Sequence, residues 1–139
     1  MPQFRSFEEI EAWKESRKLL RSIRQICKRE LARDDATFVD QITRSARSIS
    51  SNIAEGNDAM TPPEFVQFLG YAKRSAGETR SHLYDAQDEN YVSSEEFAVL
   101  SDHTKKICSM IAKLIHHLQS LNPKIKRTYS ESSNKRINE

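Results

Sequence analysis

The sequence has few of the residues that interrupt helices: its 139 residues include only 3 glycines and 4 prolines. Three scattered glycines, Gly56, Gly70 and Gly77, cannot form a glycine-rich loop around a phosphate group, which excludes the common nucleotide-binding loops. Aromatic residues, which β-sheets favour together with β-branched ones, make up only 8% of the chain. The composition therefore predicts a helical protein, and the length predicts a single domain.

Cysteines and long apolar runs are also scarce. Cys27 and Cys108 are separated by most of the chain and form no CxxC motif, so a zinc ribbon and a redox motif are both absent, and we expect two buried free thiols. No apolar run reaches the roughly 18 residues that a membrane span needs. The first residues, MPQFRSFEEIEAWK, are charged from the start, unlike a signal peptide. We therefore expect a cytoplasmic protein with no membrane association.

Four segments have the spacing of apolar residues, every three or four positions, that marks one buried face of a helix. In the first segment this face includes Trp13, Leu20, Cys27 and Leu31. A capping signal precedes each segment: Ser6 with Glu9, Asp34-Asp35, Thr61-Pro62-Pro63-Glu64, and Ser93 with Glu96. We expect Gly56 to end the second helix with positive φ, and Gly70 and Gly77 to allow close helix approach within the third.

These elements predict an all-α fold, an antiparallel up-and-down four-helix bundle over residues 1–122. Residues 123–139 have little to bury and are predicted to be a disordered basic tail. The tail contains five basic and two acidic residues, a net charge of +3, whereas residues 1–122 carry −1. The basic excess of the chain, a formal charge of +2, therefore comes from the tail.

The segment QITRSARSISSNIAEG, residues 41–56, closely resembles the Q-L-x-R-A-x-x-S-I-x-x-N-I-A-E-G signature of the 23S rRNA intervening-sequence protein family, bacterial four-helix bundle proteins. Three further segments match the family's motifs over residues 4–121: F-x-x-L-x-x-W at Phe7–Trp13, E-F-x-x-F-L-x-x-A at Glu64–Ala72, and S-A-x-E at Ser75–Glu78. The departures from the family pattern are all polar and affect how the second and third helices pack; they are Ser45, Arg47, Ser50, Arg74 and Thr79.

The resemblance implies a binding role without established catalysis, and it implies a homopentameric ring. A related accessory protein of diversity-generating retroelements binds a reverse transcriptase and nucleic acid, so the resemblance also implies RNA, DNA or such an enzyme as a partner. In a ring, five tails would together carry a charge of about +15, estimated from the +3 of each tail. No cofactor is implied.

Basic residues line one face of the first helix at spacings of three and four; they are Lys14, Arg17, Arg21, Arg24 and Lys28. Such a face can follow the phosphates of a nucleic acid, or it can simply be a solvated surface partly paired with Glu11 and Glu15. Further candidate contacts to nucleic acid are Arg44, Arg47, Lys73, Arg74, Lys124, Lys126 and Arg127. No aromatic residue is interleaved in the face to stack a base.

A second candidate region is the family signature itself, with Gln41, Arg44, Ser48, Asn52, Glu55 and Gly56. Ser48, Asn52 and Glu55 form a polar line beside the apolar face of the second helix, although Ser and Asn disfavour helix interiors. We interpret this line either as a hydrogen-bonded network that fixes the register between helices or as a ligand site.

Metal and nucleophile chemistry have little support in the sequence. No histidine stands three residues after a glutamate, the spacing that di-iron bundles use, so we expect no metal site. No serine lies in a G-x-S-x-G elbow. We therefore expect a non-enzymatic oligomeric protein that contacts RNA or DNA. The alternative is a protein-interaction scaffold or accessory subunit, for example of a reverse transcriptase, without affinity for nucleic acid.

Overall fold

A computed structural model describes residues 4–121 of the chain. A short 3₁₀ turn, Phe7–Glu9, precedes five α-helices: α1 (Glu11–Cys27), α2 (Glu30–Arg33), α3 (Ala36–Asn57), α4 (Pro62–Asp88) and α5 (Ser94–Leu121). Residues 4–121 contain no β-strand, which confirms the all-α class. The predicted basic tail, residues 123–139, lies outside the described residues.

The four long helices bury their predicted apolar faces in one core. Helix α3 packs against α1 and α4, and α5 also packs against α4 and α1, so each long helix has two neighbours. The predicted stripe of α3 is buried throughout; it comprises Phe38, Ile42, Ala46, Ile49 and Ile53. Periodicity places these positions correctly because a helix that buries one side must repeat it every three or four residues. No helix within residues 4–121 is long and apolar enough to cross a membrane.

Three of the four predicted helix starts are confirmed by side-chain caps. Asp35 accepts a hydrogen bond from the backbone N–H of Phe38 at 3.2 Å, and Thr61 accepts one from Glu64 at 3.4 Å. At the start of α5 the backbone N–H of Glu96 donates to the Ser93 hydroxyl at 3.1 Å, and the Glu96 carboxylate accepts from the Ser93 N–H at 3.0 Å. This reciprocal pair is the predicted capping box.

The predicted start of the first helix at Ser6 is wrong. Ser6 makes no side-chain cap, and the chain forms a 3₁₀ turn before Ile10, whose backbone is extended. The Glu9 carboxylate accepts a hydrogen bond from the Arg5 N–H at 3.1 Å instead of closing a capping box. Ile10 is only 2% exposed, so the interruption places its side chain in the core before α1 begins.

The first predicted helix also ends earlier than its apolar spacing suggests. Helix α1 stops at Cys27, and Arg29 adopts an extended backbone before α2. The break changes the register, so Leu31 is 68% exposed while Ala32 is buried. At the break, the Arg29 guanidinium binds the Glu96 carboxylate and donates to the Tyr91 carbonyl oxygen at 3.0 Å. Because these partners are more than 60 residues away in the sequence, the local spacing of apolar residues predicts neither the break nor the exposure of Leu31.

Two charged contacts tie the turn between α4 and α5 to the segment between α1 and α3. The Arg29 guanidinium lowers the pKa of Glu96 to about 2, with help from the Ser93 N–H. The Tyr91 hydroxyl donates to the Asp35 carboxylate at 2.7 Å, which raises the pKa of Tyr91 to about 12. Asn90 turns the chain there with φ +61°, a left-handed conformation that asparagine tolerates.

The glycines have roles opposite to those predicted. Gly56 lies within α3, and no glycine of residues 4–121 has positive φ. A Cβ at Gly56 would lie 2.9 Å from Phe68 Cβ and 3.0 Å from Phe65 Cδ1, so this glycine allows close approach of α3 and α4. A Cβ at Gly70 or Gly77 would meet nothing within 4 Å, so neither supports a close contact between the described helices. Close approach depends on the opposing helix, which one sequence does not reveal.

Substituting alanine at two of these glycines separates their roles. Gly56→Ala should destabilise the protein by about 1–3 kcal/mol, because the added methyl group would overlap Phe68 and Phe65. Gly77→Ala should stabilise it by about 0.5–1 kcal/mol, because alanine is the better helix former and its methyl group has free space. Urea unfolding monitored by circular dichroism measures both changes. Equal effects of the two substitutions would contradict this assignment.

Candidate functional site

The predicted basic face of α1 lies opposite the residues that α1 buries. Leu19, Leu20 and Ile23 are fully buried in the core. The five basic positions occur between these in the helical repeat, at 14, 17, 21, 24 and 28, and each is exposed or half-buried. Lys28 lies one residue beyond the end of α1 with helical backbone angles. We call these five positions the basic stripe.

Only one cation of the basic stripe has a carboxylate partner among residues 4–121. Lys14 contacts Glu11 at 3.0 Å. The Arg17 guanidinium lies over the Trp13 ring, 5.9 Å from its centroid, so an aromatic residue adjoins the stripe although none is interleaved in it. No carboxylate of the described residues lies within 4 Å of the charged groups of the other four cations, Arg17, Arg21, Arg24 and Lys28. Their charges therefore remain available to an external anion.

The other acid of α1 near the stripe is paired with groups outside it. The Glu15 carboxylate contacts Nε2 of His103, on α5, at 2.6 Å and Nζ of Lys18 at 3.1 Å. The hydrogen bond with His103, and after it that with Lys18, lowers the pKa of Glu15. The Glu15–His103 contact joins α1 to α5. Because Glu15 binds His103 and Lys18, it does not neutralise a cation of the basic stripe.

The other candidate basic residues do not extend the basic stripe within one chain. Arg44 and Arg47 are exposed on α3, where Arg44 lies 3.5 Å from Asp40. Lys73 and Arg74 are exposed on α4. Helix α4 packs mainly against α3 and α5, and α1 packs against the same two helices, so α4 does not lie beside the basic stripe. Arg74 lies over the Tyr71 ring at 5.0 Å. Lys124, Lys126 and Arg127 lie outside the described residues.

A row of hydrogen-bonded side chains joins α3 to α4. Asn52 Nδ2 donates to the Ser48 hydroxyl at 2.8 Å, and the Ser75 hydroxyl of α4 donates to the same oxygen at 2.9 Å. One helical turn away the Thr79 hydroxyl donates to the Ser45 hydroxyl at 2.9 Å. We call these five residues the polar seam. Thr79 is fully buried and Ser45 is 4% exposed, so this pair lies inside the core.

The polar seam also explains two departures from the family pattern. Ser45 and Thr79, which replace apolar residues of that pattern, are partners of one another across the two helices. Ser45 additionally donates to the Ile42 carbonyl at 3.1 Å, and Ser50 donates to the Arg47 carbonyl at 3.1 Å. Within residues 4–121 no buried side-chain nitrogen or oxygen lacks a hydrogen-bond partner. The polar substitutions therefore do not leave unsatisfied groups in the core.

A surface groove of about 510 Å³ lies over the polar seam, between α3 and α4. It is lined by the signature residues Gln41, Arg44 and Ser48 from α3, by Ser75, Glu78 and His82 from α4, and by Ser45 beneath them. His82 Nδ1 lies 3.5 Å from the Asp85 carboxylate. The remaining signature residues differ: Glu55 is exposed, and Gly56 is buried against Phe65 and Phe68. The spacing of residues within one helix does not predict this groove, because one side of it is formed by α3 and the other by α4.

Comparison with known proteins places this arrangement in a family. The family model described as "23S rRNA-intervening sequence protein" matches residues 8–113, which include α1 to α4, the polar seam and most of α5. The chain belongs to the 23S rRNA-intervening sequence protein family. No curated protein matches it.

A solved structure supports the fold of this family member. It is a protein of unknown function from the S23 ribosomal protein family of Bacteroides thetaiotaomicron VPI-5482. The two chains are 24% identical, with a TM-score of 0.68, and the match covers 75% of this chain and 97% of that one. The likeness establishes the helical fold of this family member.

The thiols of this family member lie apart from the groove and the basic stripe. Cys27 is buried with its sulfur 3.9 Å from the Thr43 hydroxyl, while Cys108 is only half-buried, less than predicted. Burial raises the pKa of both thiols, which disfavours the thiolate that a cysteine nucleophile requires. Residues 4–121 contain no group of three or more His, Cys, Asp or Glu side chains arranged to hold a metal ion.

A double-mutant cycle tests whether the buried pair of the polar seam acts as a unit. Thr79→Val keeps the side-chain shape but leaves the Ser45 oxygen without its donor, so it should destabilise the protein by about 1–3 kcal/mol. Ser45→Ala removes the acceptor. The double variant should be more stable than the sum of the single effects predicts, by about 0.5–1.5 kcal/mol. Strictly additive unfolding free energies would contradict the pairing.

Proposed function

We propose that this member of the 23S rRNA-intervening sequence protein family is a non-enzymatic, oligomeric protein that binds RNA or DNA through the basic stripe of α1. The observation that carries the proposal is the outward face with four cations, Arg17, Arg21, Arg24 and Lys28, that have no carboxylate partner within residues 4–121. Nucleic-acid affinity that is independent of sequence depends on such cations, because each phosphate contact releases counterions.

The length of the basic stripe suits contacts with several phosphates. Arg17 and Lys28 are eleven positions apart, which corresponds to about 16 Å along a helix of 1.5 Å rise. Phosphates of one strand follow one another at intervals of about 3.4 Å along a DNA duplex axis, so the stripe spans several of them. Trp13 beside Arg17 adds a ring next to the phosphate-binding face.

We further propose an antiparallel up-and-down bundle that assembles into a pentameric ring in the cytoplasm. Connections of only four residues after α3 and five after α4 support the alternation, because so short a link favours a next helix that runs back along the last. The ring is what the sequence resemblance implies. It would bring the α4 cations Lys73 and Arg74, the α3 cations Arg44 and Arg47, and five basic tails onto one particle.

The absence of catalysis is part of this proposal. It is supported by the raised pKa values of Cys27 and Cys108, the two thiols of the chain. The alternative, a protein scaffold or accessory subunit such as one for a reverse transcriptase, would need no free cations on α1. Charge removal on the basic stripe distinguishes nucleic-acid binding from the scaffold function, because only nucleic-acid binding has a salt-dependent affinity that these cations determine.

Charge removal on the basic stripe tests the proposal. Binding of a fluorescent structured RNA and of a DNA duplex is measured by anisotropy across a salt series with the wild type and an Arg21→Gln/Arg24→Gln variant. The variant should bind more weakly at low salt. Each lost phosphate contact should also reduce the slope of log K against log salt by about 0.7–0.9.

The matched control is Lys105→Gln/Lys106→Gln, which removes two exposed charges from α5 instead. It should keep the wild-type salt slope. Sedimentation of the same samples should give a mass of about 80 kDa, five copies of the 16.1 kDa chain. Wild-type protein that retains neither RNA nor DNA at low salt would refute nucleic-acid binding. An equal loss of affinity in both variants would refute the role of the stripe.

A further inference from the structure

The groove over the polar seam has features of a binding site that the proposed function does not use. Its volume of about 510 Å³ lies within the range of small-molecule sites, roughly 300–1,000 Å³. Among the described residues that line it there is no aliphatic side chain and no Phe, Tyr or Trp. The polar and charged side chains of this lining favour a ligand with several polar groups, and the only ring among these described lining residues is the His82 imidazole.

The two charged side chains of the groove are opposite in sign and held apart. Arg44 lies on α3 and Glu78 on α4, and no ion pair within 4 Å joins them. Arg44 has Asp40 as its only carboxylate partner among residues 4–121, with Nε 3.5 Å from the carboxylate, and both side chains of this pair are exposed. Glu78 has no ion-pair or hydrogen-bond partner in the same region. A purely anionic ligand would be repelled by Glu78, and a purely cationic one by Arg44.

Ser48 adds a hydrogen-bond donor to the lining of the groove. The Ser48 oxygen already accepts from Asn52 Nδ2 at 2.8 Å and from the Ser75 hydroxyl at 2.9 Å. A serine hydroxyl has two acceptor sites and one hydrogen, so Ser48 has only its hydrogen left to offer. That hydrogen donates to no other residue within 4–121. The polar seam therefore leaves Ser48, which lines the groove together with Arg44, with one hydrogen to donate.

We propose that this groove binds a small zwitterion of the amino-acid class. Arg44 and the Ser48 hydroxyl hold the carboxylate, and the Glu78 carboxylate holds the ammonium group. Gln41, on the α3 rim, offers an amide donor and an acceptor to the remaining polar atoms. The inference is independent of the basic stripe, since it uses other side chains on other helices. The open groove and two charge-assisted contacts predict a Kd on the order of 1 mM.

Nuclear magnetic resonance with the ¹⁵N-labelled full chain tests the proposal. The probes are the twenty L-amino acids, with succinate and putrescine as ligands of a single charge sign, each at about 10 mM, well above the expected Kd. At least one amino acid should shift the backbone amides of Ser45, Ser48 and Ser75 in a saturable way. The Kd values of succinate and putrescine, measured from the same amide shifts, should be at least tenfold higher than that of the amino acid.

Matched variants assign the contacts. Arg44→Gln and Glu78→Gln should each weaken the amino acid at least tenfold, a loss typical of a charge-assisted contact. Arg47→Gln and Glu55→Gln make the same changes at exposed α3 positions outside the groove and should leave its affinity unchanged. Three results would overturn the proposal: no amino acid shifts these amides, succinate or putrescine binds as tightly, or the control variants lose as much affinity as the groove variants.

Discussion

The contact between α3 and α4 is the constraint on which the rest of the structure depends. It buries hydroxyl groups, and a buried hydroxyl without a partner costs roughly 1–3 kcal/mol. Ser45 and Thr79 hydrogen-bond to each other across this contact as well as to carbonyl groups of their own helices, and Ser48 and Ser75 pair one turn away. Gly56 adds a second condition, because only a residue without Cβ fits against Phe68 there. A shift by one residue would break all of these contacts, so the register of the two helices is fixed.

A fixed register has consequences at the surface. It brings Arg44 and Glu78 to opposite sides of one groove, although 33 intervening residues separate them in sequence. It also allows α1 and α5 to complete the core from the other side through apolar packing and the Glu15–His103 contact. The outward face of α1 carries the four cations of the basic stripe that have no carboxylate partner within residues 4–121.

The parts of the fold that depend on local chemistry follow from the sequence. Helix faces repeat every three or four residues, and the caps at Asp35, Thr61 and Ser93 involve residues only three positions away, so both are predictable. The break after Cys27, which is linked to Arg29 reaching Glu96, and the role of Gly56 depend on residues far along the chain. The same holds for the site: spacing identifies Ser48 and Asn52 as a polar line, but their partner Ser75 and the groove require the packed pair of helices. The family signature on α3 and the family motifs at Glu64–Ala72 and Ser75–Glu78 on α4 indicate which helices matter, because they lie on the two helices that meet at the polar seam.

Native-state hydrogen exchange of the backbone amides tests the central claim most directly, because it ranks the local stability of each helix without any substitution. If the α3–α4 pair fixes the structure, the slowest-exchanging amides lie beside the polar seam, in residues 45–53 of α3 and 72–79 of α4. Amides of α1 and α5 should then exchange through smaller, earlier openings. Slowest exchange in α1 and α5, with α3 and α4 opening first, would contradict the account.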